Sequence, residues 1–228
     1  RQKGEEGSPE IFLDPNKFAE DGTTSLAGLS FTEDGSMVAY QISEGGSDWR
    51  KVIVLNAETK EQIEDTLIDV KFSGVSWFNN DGFYYSSYDK PKEGSTLSGL
   101  TQFHKLFYHK LGTAQSTDNL IFGGDITPRR YVGGYVSEDN NFLVISAATS
   151  TSGNELYIKD LRKPDSEIVN VVDNFENNKE YTVEHTGILY LYINCISNSL
   201  KIIGSILVSQ LRLSTVYVST PRYKLASK

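Results

Sequence analysis

Three stretches of the chain repeat one pattern, and that repetition limits the folds open to it. They are Phe31-Thr-Glu-Asp-Gly-Ser-Met-Val-Ala-Tyr40, Trp77-Phe-Asn-Asn-Asp-Gly-Phe-Tyr-Tyr-Ser86 and Tyr135-Val-Ser-Glu-Asp-Asn-Asn-Phe-Leu-Val-Ile-Ser146. Each places an apolar stretch, an acidic turn and a second apolar stretch in order. Asp34-Gly35, Asp81-Gly82 and Asp139-Asn140 are residue pairs that tolerate the positive φ of a tight hairpin. A further strand with partial apolar/polar alternation follows each hairpin: Lys51–Asn56, Lys105–Leu111 and Glu155–Leu161. Fourth, more polar strands are expected at Glu61–Leu67 and Ile168–Val172. The turns recur after about 47 and then 58 residues, slightly longer than the usual period of a propeller blade.

Four antiparallel strands per repeat make one blade of a β-propeller. A weaker fourth unit starts near Tyr181 and reaches Ile188–Ile193. The expected fold is therefore all-β, a partial propeller of about three blades plus part of a fourth. A β-sandwich is the alternative architecture, since it also strings strands between short turns. No long window carries the 3.6-residue apolar stripe of a helix. Polar, glycine-containing connections are expected at Lys90–Thr101 and Thr149–Asn154.

Charge and cysteine content narrow the function. The 228 residues carry a net charge of -8, with a pI near 5.0. Nucleic acid is not the expected partner, because phosphate binding needs a basic surface. No apolar run reaches the roughly 18 residues of a membrane helix, so no membrane partner is expected. The chain starts at Arg1 without a signal-like segment and is expected to be a cut or processed piece. Cys195 is alone, which excludes an internal disulfide and fits a cytoplasmic location, with a periplasmic one as the alternative.

The catalytic inventory is thin. An acyl-transfer serine usually sits in Gly-x-Ser-x-Gly; Gly45-Gly-Ser-Asp-Trp49 comes nearest but ends in Trp and lies between two strands. Asp48 is expected to cap that turn and Trp49 to bury an apolar face. His104 and His109, five apart on a strand, are expected to face opposite sides and to have no catalytic duty. His185 precedes Thr186-Gly187 and is read as a turn residue. No His-Glu-x-x-His spacing, calcium loop or phosphate loop occurs, so neither metal nor cofactor is expected.

Residues 193–228 differ from the rest. No Asp or Glu follows Glu184, while five Lys and Arg lie beyond Ile193. Ile202–Val208 is apolar and lacks an acidic turn. The segment reads either as a basic interaction tail or as the product of an altered reading frame. The expected division is a propeller portion over 1–192 and an atypical tail over 193–228.

Several motifs in order resemble the non-catalytic propeller of prolyl oligopeptidases, serine peptidases that cut short peptides after proline. They are Ile11-Phe-Leu-Asp-Pro-Asn16, Gly45-Gly-Ser-Asp-Trp49, Val70-Lys-Phe-Ser-Gly-Val-Ser-Trp77 (similar to an inner strand), His104-Lys-Leu-Phe-Tyr-His-Lys-Leu-Gly-Thr113, Tyr131-Val-Gly-Gly134, Gly153-Asn-Glu-Leu-Tyr-Ile-Lys-Asp-Leu161 and Val172-Asp-Asn-Phe175. The resemblance implies a seven-bladed propeller that caps an α/β-hydrolase domain and admits short proline-containing peptides, with no cofactor. This chain would supply a substrate-gating portion without the catalytic triad and would be inactive alone. By motif, Phe72 matches an aromatic position near the substrate, and Val132 and Ser150 fall where some members carry Met and Cys. The alternatives are a stand-alone interaction propeller or a degenerate fragment.

Overall fold

The computed structural model describes residues 1–2, 4–89, 101–124 and 127–173 in full, and the backbone of strands within 178–213. Among these residues it contains sixteen strands and no α-helix. They form four four-stranded sheets whose spatial order follows the chain: β1 (Thr24–Phe31), β2 (Met37–Glu44), β3 (Trp49–Asn56), β4 (Leu67–Lys71); β5 (Ser76–Phe78), β6 (Gly82–Ser87), β7 (Lys105–Lys110), β8 (Asn119–Gly123); β9 (Tyr131–Val136), β10 (Phe142–Ala148), β11 (Glu155–Asp160), β12 (Val169–Val172); β13 (Asn178–His185), β14 (Ile188–Cys195), β15 (Ser199–Leu207), β16 (Arg212–Leu213). Every pair whose register is described is antiparallel. This is the blade arrangement expected from the repeats. The described residues divide into two compact units, Arg1–Thr101 with Phe107–Asn119, and Gln102–Leu106 with Leu120–Lys228.

One hydrogen bond recurs in the first three sheets and accounts for the repeat. The residue after the third strand donates its N–H to the carbonyl just before the second strand. The pairs are Ala57 to Ser36 (2.8 Å), Leu111 to Asp81 (3.0 Å) and Leu161 to Asn141 (2.8 Å). Each bond closes the backbone groups left open where a hairpin turn ends. In two of the turns a hydroxyl and a carboxylate hold the same geometry. Thr32 Oγ1 donates to Asp34 Oδ1 (2.8 Å), which also accepts from Ser36 N–H (3.0 Å); Ser137 Oγ donates to Asp139 Oδ1 (2.6 Å), which accepts from Asn141 N–H (3.0 Å).

Positive φ falls at Gly35 (69°) and Asn140 (58°), as the turn residues suggest. The second sheet departs from the expectation. There Asn79 takes the left-handed conformation (φ 49°) and Gly82 does not. Gly82 is required for another reason: a Cβ there would run into the backbone carbonyl oxygen of His109.

The first unit is held by Ala39, Val52, Val54, Leu67 and Val70 of the first sheet against Trp77, Phe83 and Tyr85 of the second. Val52 and Val54 point one way because strand side chains alternate, and Ala39 lies opposite Val54 in the register. Trp77 adds a polar tie, its Nε1 donating to the Ser30 carbonyl at 3.0 Å. In the second unit Phe142, Val144, Leu156 and Ile158 form a core. Leu143, Ile145 and Ala147, on the other face of β10, are buried as well. Each Val, Leu, Ile or Phe among them contributes about 1.5–3 kcal/mol on burial.

Two strand expectations need correction. The fourth strand of the first sheet is Leu67–Lys71, not Glu61–Leu67. Gln62 makes a single bridge to Leu55, and its amide turns to the Glu64 carbonyl (2.7 Å) and Thr66 Oγ1 (3.1 Å), which ends the ladder. Nor is Val70–Trp77 one inner strand: it comprises the end of β4, a link over 72–75, and the start of β5. The connection expected at Lys90–Thr101 lies, over 90–100, outside the described residues. Within the segment 193–228, the backbone of β15 pairs with β14 from Cys195↔Ser199 to Ile188↔Leu207.

Asp160 closes β11. Arg162 donates to its carboxylate through Nε (2.8 Å) and Nη2 (2.9 Å), and this pairing holds the carboxyl below the ordinary aspartate range. A depressed folded-state value contributes stability that is complete above the unfolded value of about 3.9 and is lost as pH falls through the folded one. The stability difference between the native chain and Asp160→Asn should therefore be constant above about pH 5 and shrink below about pH 4. Urea unfolding at several pH values checks this; a difference flat to pH 2 contradicts it.

Candidate functional site

Phe72 sits on the link between β4 and β5 with φ 51°. A bulky side chain is disfavoured in the left-handed region, at a cost on the order of 1–3 kcal/mol. The surrounding structure imposes the conformation. Ser73 Oγ accepts the Ser86 N–H at 2.6 Å and donates to the Gly74 carbonyl at 2.5 Å, while Ser87 Oγ donates to the Asp69 carbonyl. Asp69 and Ser73, on either side of Phe72 along the chain, are thus both bonded to β6, and Phe72 turns outward between them. Its ring stays 42% exposed, with its edge against Tyr88 (6.3 Å between centroids) and the Lys71 ammonium 5.2 Å from its centre.

Phe72 borders a cavity of about 500 Å³. Its walls come from β1, β2, β3 and the link, and include Gly28, Gln41, Arg50 and Ser73. Gln41 is 2% exposed. Arg50 Nη1 donates to Gln41 Oε1 at 2.9 Å and to the Ser73 carbonyl at 3.4 Å. The composition of the chain gives no hint of this cavity; the signal was a charged residue, Arg50, on the same face of β3 as the apolar Val52 and Val54.

The other two residues singled out by motif lie in the second unit. Val132 is on β9, buried at 2%, and its N–H donates to His104 Nδ1 at 2.9 Å. Ser150 is exposed in the β10–β11 loop, where its hydroxyl donates to the Ser152 carbonyl (2.8 Å). The Gly45-Gly-Ser-Asp-Trp49 tip is a hairpin with Gly45 and Gly46 at φ 59° and 73°. Ser47, not Asp48, caps it: Ser47 Oγ accepts the Trp49 N–H at 3.1 Å, the shorter reach of a hydroxyl suiting this turn. Trp49 is buried, as expected.

The histidines serve separate partners. His104, through Nδ1, fixes the β9 backbone. His109 is 1% exposed, and Asp118 Oδ1 lies 2.8 Å from its Nδ1. Asp118 Oδ2 accepts from the Tyr85 hydroxyl at 2.7 Å; burial, and then this bond, push the Tyr85 hydroxyl up from its ordinary value. Glu64 approaches His109 Nε2 at 3.9 Å. An Asp–His pair was missed by the sequence reading, although a carboxylate nine residues beyond a strand histidine was there to be tested. The pair has no hydroxyl or thiol nucleophile at Nε2, which has no hydrogen-bond partner among the described residues. Full burial keeps substrate away, so the pair is structural. Among the described residues no cluster of three or more His, Cys, Asp or Glu could hold a metal.

Comparison with known proteins agrees with this architecture. Residues 1–203 match the family model described as prolyl oligopeptidase, N-terminal beta-propeller domain. The chain is 58% identical over 191 residues to a prolyl endopeptidase of Elizabethkingia meningoseptica, covering 84% of this chain and 27% of that protein. It is 61% identical over 177 residues to a prolyl endopeptidase of Elizabethkingia miricola, covering 78% and 25%. Among solved structures, prolyl oligopeptidase B of Galerina marginata, bound to a 35mer hydrolysis and macrocyclization substrate, superposes with a TM-score of 0.82 at 23% identity over 94% of this chain and 32% of that one. The chain thus spans about a quarter of the length of the curated relatives it matches. It belongs to the prolyl oligopeptidase family and carries part of that family's N-terminal β-propeller domain.

Proposed function

We propose that this chain forms the substrate-gating portion of a prolyl oligopeptidase-like serine endopeptidase. In this reading a partner α/β-hydrolase domain carries the catalytic triad and cleaves short peptides after proline, and the propeller admits those peptides and turns folded proteins away. The chain itself contributes no nucleophile or base. Phe72 presents its ring to the peptide, Ser150 offers an exposed hydroxyl, and the buried Val132 side chain supports the site from β9, which His104 anchors at the Val132 N–H.

The observation that carries the reading is the strain at Phe72. An exposed aromatic held at positive φ gains little for the fold, and such outliers concentrate at ligand contacts. Asn tolerates the left-handed region better than Phe. Phe72→Asn in the complete enzyme should therefore leave the melting temperature unchanged or raise it. The same change should lower kcat/KM about tenfold for a peptide long enough to reach the ring, the kinetic equivalent of roughly 1.4 kcal/mol. A dipeptide substrate should be unaffected. A fall in melting temperature with kcat/KM unchanged for both substrates would reject the role.

A further inference from the structure

The cavity beside Phe72 contains a cation without a counter-ion. Arg50 follows Val52 and Val54 along the inward face of β3, where alternation places every second side chain. It is only partly exposed, and no carboxylate lies within ion-pair distance of its guanidinium among the described residues. The cavity lining contains no Asp or Glu. This occurs in a chain with 30 acidic residues, so the omission is local. The acceptors that Arg50 does reach, the Gln41 amide oxygen and the Ser73 carbonyl, are both neutral. A partly desolvated charge left without its opposite is costly.

Gln41 orients this cation. A guanidinium can only donate, so the group facing Arg50 Nη1 must be the amide oxygen. The nitrogen then faces another way, and Gln41 Nε2 is buried with no hydrogen-bond partner among the described residues. Gly28, opposite Gln41 in the register, makes room for this side chain; a Cβ there would stand 3.1 Å from Gln41 Oε1. Gln41 Oε1 thus holds the Arg50 guanidinium in the cavity, and what the guanidinium lacks there is an anionic acceptor. A carboxylate matches the planar fork of a guanidinium. The exposed Phe72 ring and the Lys71 ammonium beside it would receive the aliphatic stem and reinforce the positive field.

We propose that this cavity binds the carboxylate of an acidic side chain in a peptide, with Arg50, positioned by Gln41, as its donor and Phe72 as its apolar wall. The substrate class of the site is then acidic, proline-containing oligopeptides. The proposal rests on the gating reading for its biological setting, but its test involves binding to this chain and no turnover. Isothermal titration of the full chain with Ac-Glu-Gly-Glu-Gly-Pro-NH2 and with Ac-Gln-Gly-Gln-Gly-Pro-NH2 decides it. The glutamate peptide should bind at least about tenfold more tightly, and its advantage should shrink as salt is raised, since charge attraction is screened. Arg50→Met should remove the advantage. Arg50→Lys, which keeps the charge and loses the fork, should reduce it and serves if the methionine variant does not fold. Equal affinity for the two peptides, no binding of the glutamate peptide at millimolar concentration, or a preference that survives in both variants would overturn the proposal. Such a failure would leave the gating reading intact, because size exclusion does not depend on peptide charge.

Discussion

Phe83→Ala is expected to destabilise the chain by about 3–5 kcal/mol, as for other fully buried aromatic residues. Phe83 is 0% exposed, and three rings surround it: Trp77 at 5.2 Å, His109 at 5.3 Å and Tyr85 at 6.3 Å between centroids. Every residue of its strand, Gly82–Ser87, is buried. The backbone on either side is thus held by packing on both faces and cannot move in to fill the space. Ile11→Ala, at a position 72% exposed, should change stability by less than about 0.5 kcal/mol. Urea denaturation of both variants checks the contrast. Similar small shifts in the two midpoints would show that the Trp77–Phe83–Tyr85 cluster is not the centre of the first unit.

The second large effect belongs to His109. Removing the imidazole with His109→Ala strands the Asp118 carboxylate, 3% exposed, with the Tyr85 hydroxyl as its remaining hydrogen-bond partner among the described residues. Breaking a buried pair from one side costs about 3–5 kcal/mol, because the remaining charge is neither solvated nor matched. Asp118→Asn keeps an acceptor beside the imidazole and should cost less, roughly 1–3 kcal/mol. Since the His109 and Phe83 rings touch, the double variant should lose less than the sum of the two single losses. In the complete enzyme, kcat/KM per folded molecule for a short substrate should be unchanged by Asp118→Asn. A drop of a hundredfold or more would make the Asp118–His109 pair catalytic and contradict the structural role assigned to it.

Much of the blade order was legible because turn chemistry is local. Asp34-Gly35 and Asp139-Asn140 carry the residue types their φ values need, and the hydroxyl two residues before each aspartate completes the turn. The second hairpin was harder. Its glycine looked like a turn residue, yet its function is to let the His109 backbone approach, a contact across 27 residues of chain that no local pattern encodes. Strand β10 shows the same limit: burial on both faces erases alternation, so its apolar run marked a strand without indicating which neighbours it meets.

The candidate site was less legible still. Phe72 stood out by motif, but its positive φ depends on hydrogen bonds that Ser86 N–H and Ser87 Oγ donate to Ser73 Oγ and the Asp69 carbonyl, on either side of it. The Asp118–His109 pair and the Arg50–Gln41 pair are side-chain meetings set by strand register. Gln41 lies opposite Val52, which places Arg50 one diagonal step away on the same face. A shift of one residue in that register would turn Arg50 outward and take its guanidinium out of the cavity.

In the proposed gating role, the propeller admits a free peptide and excludes a folded protein. The most direct measurement compares one proline-containing sequence in two settings, as a free peptide and as a linker joined at both ends to stably folded domains, each incubated with the complete enzyme containing this chain. An unrelated open-cleft endopeptidase that cuts the same linker serves as the control for accessibility. The free peptide should be cleaved and the flanked linker left intact, although the control enzyme cuts both. Cleavage of the flanked linker at a rate comparable to the free peptide would contradict it.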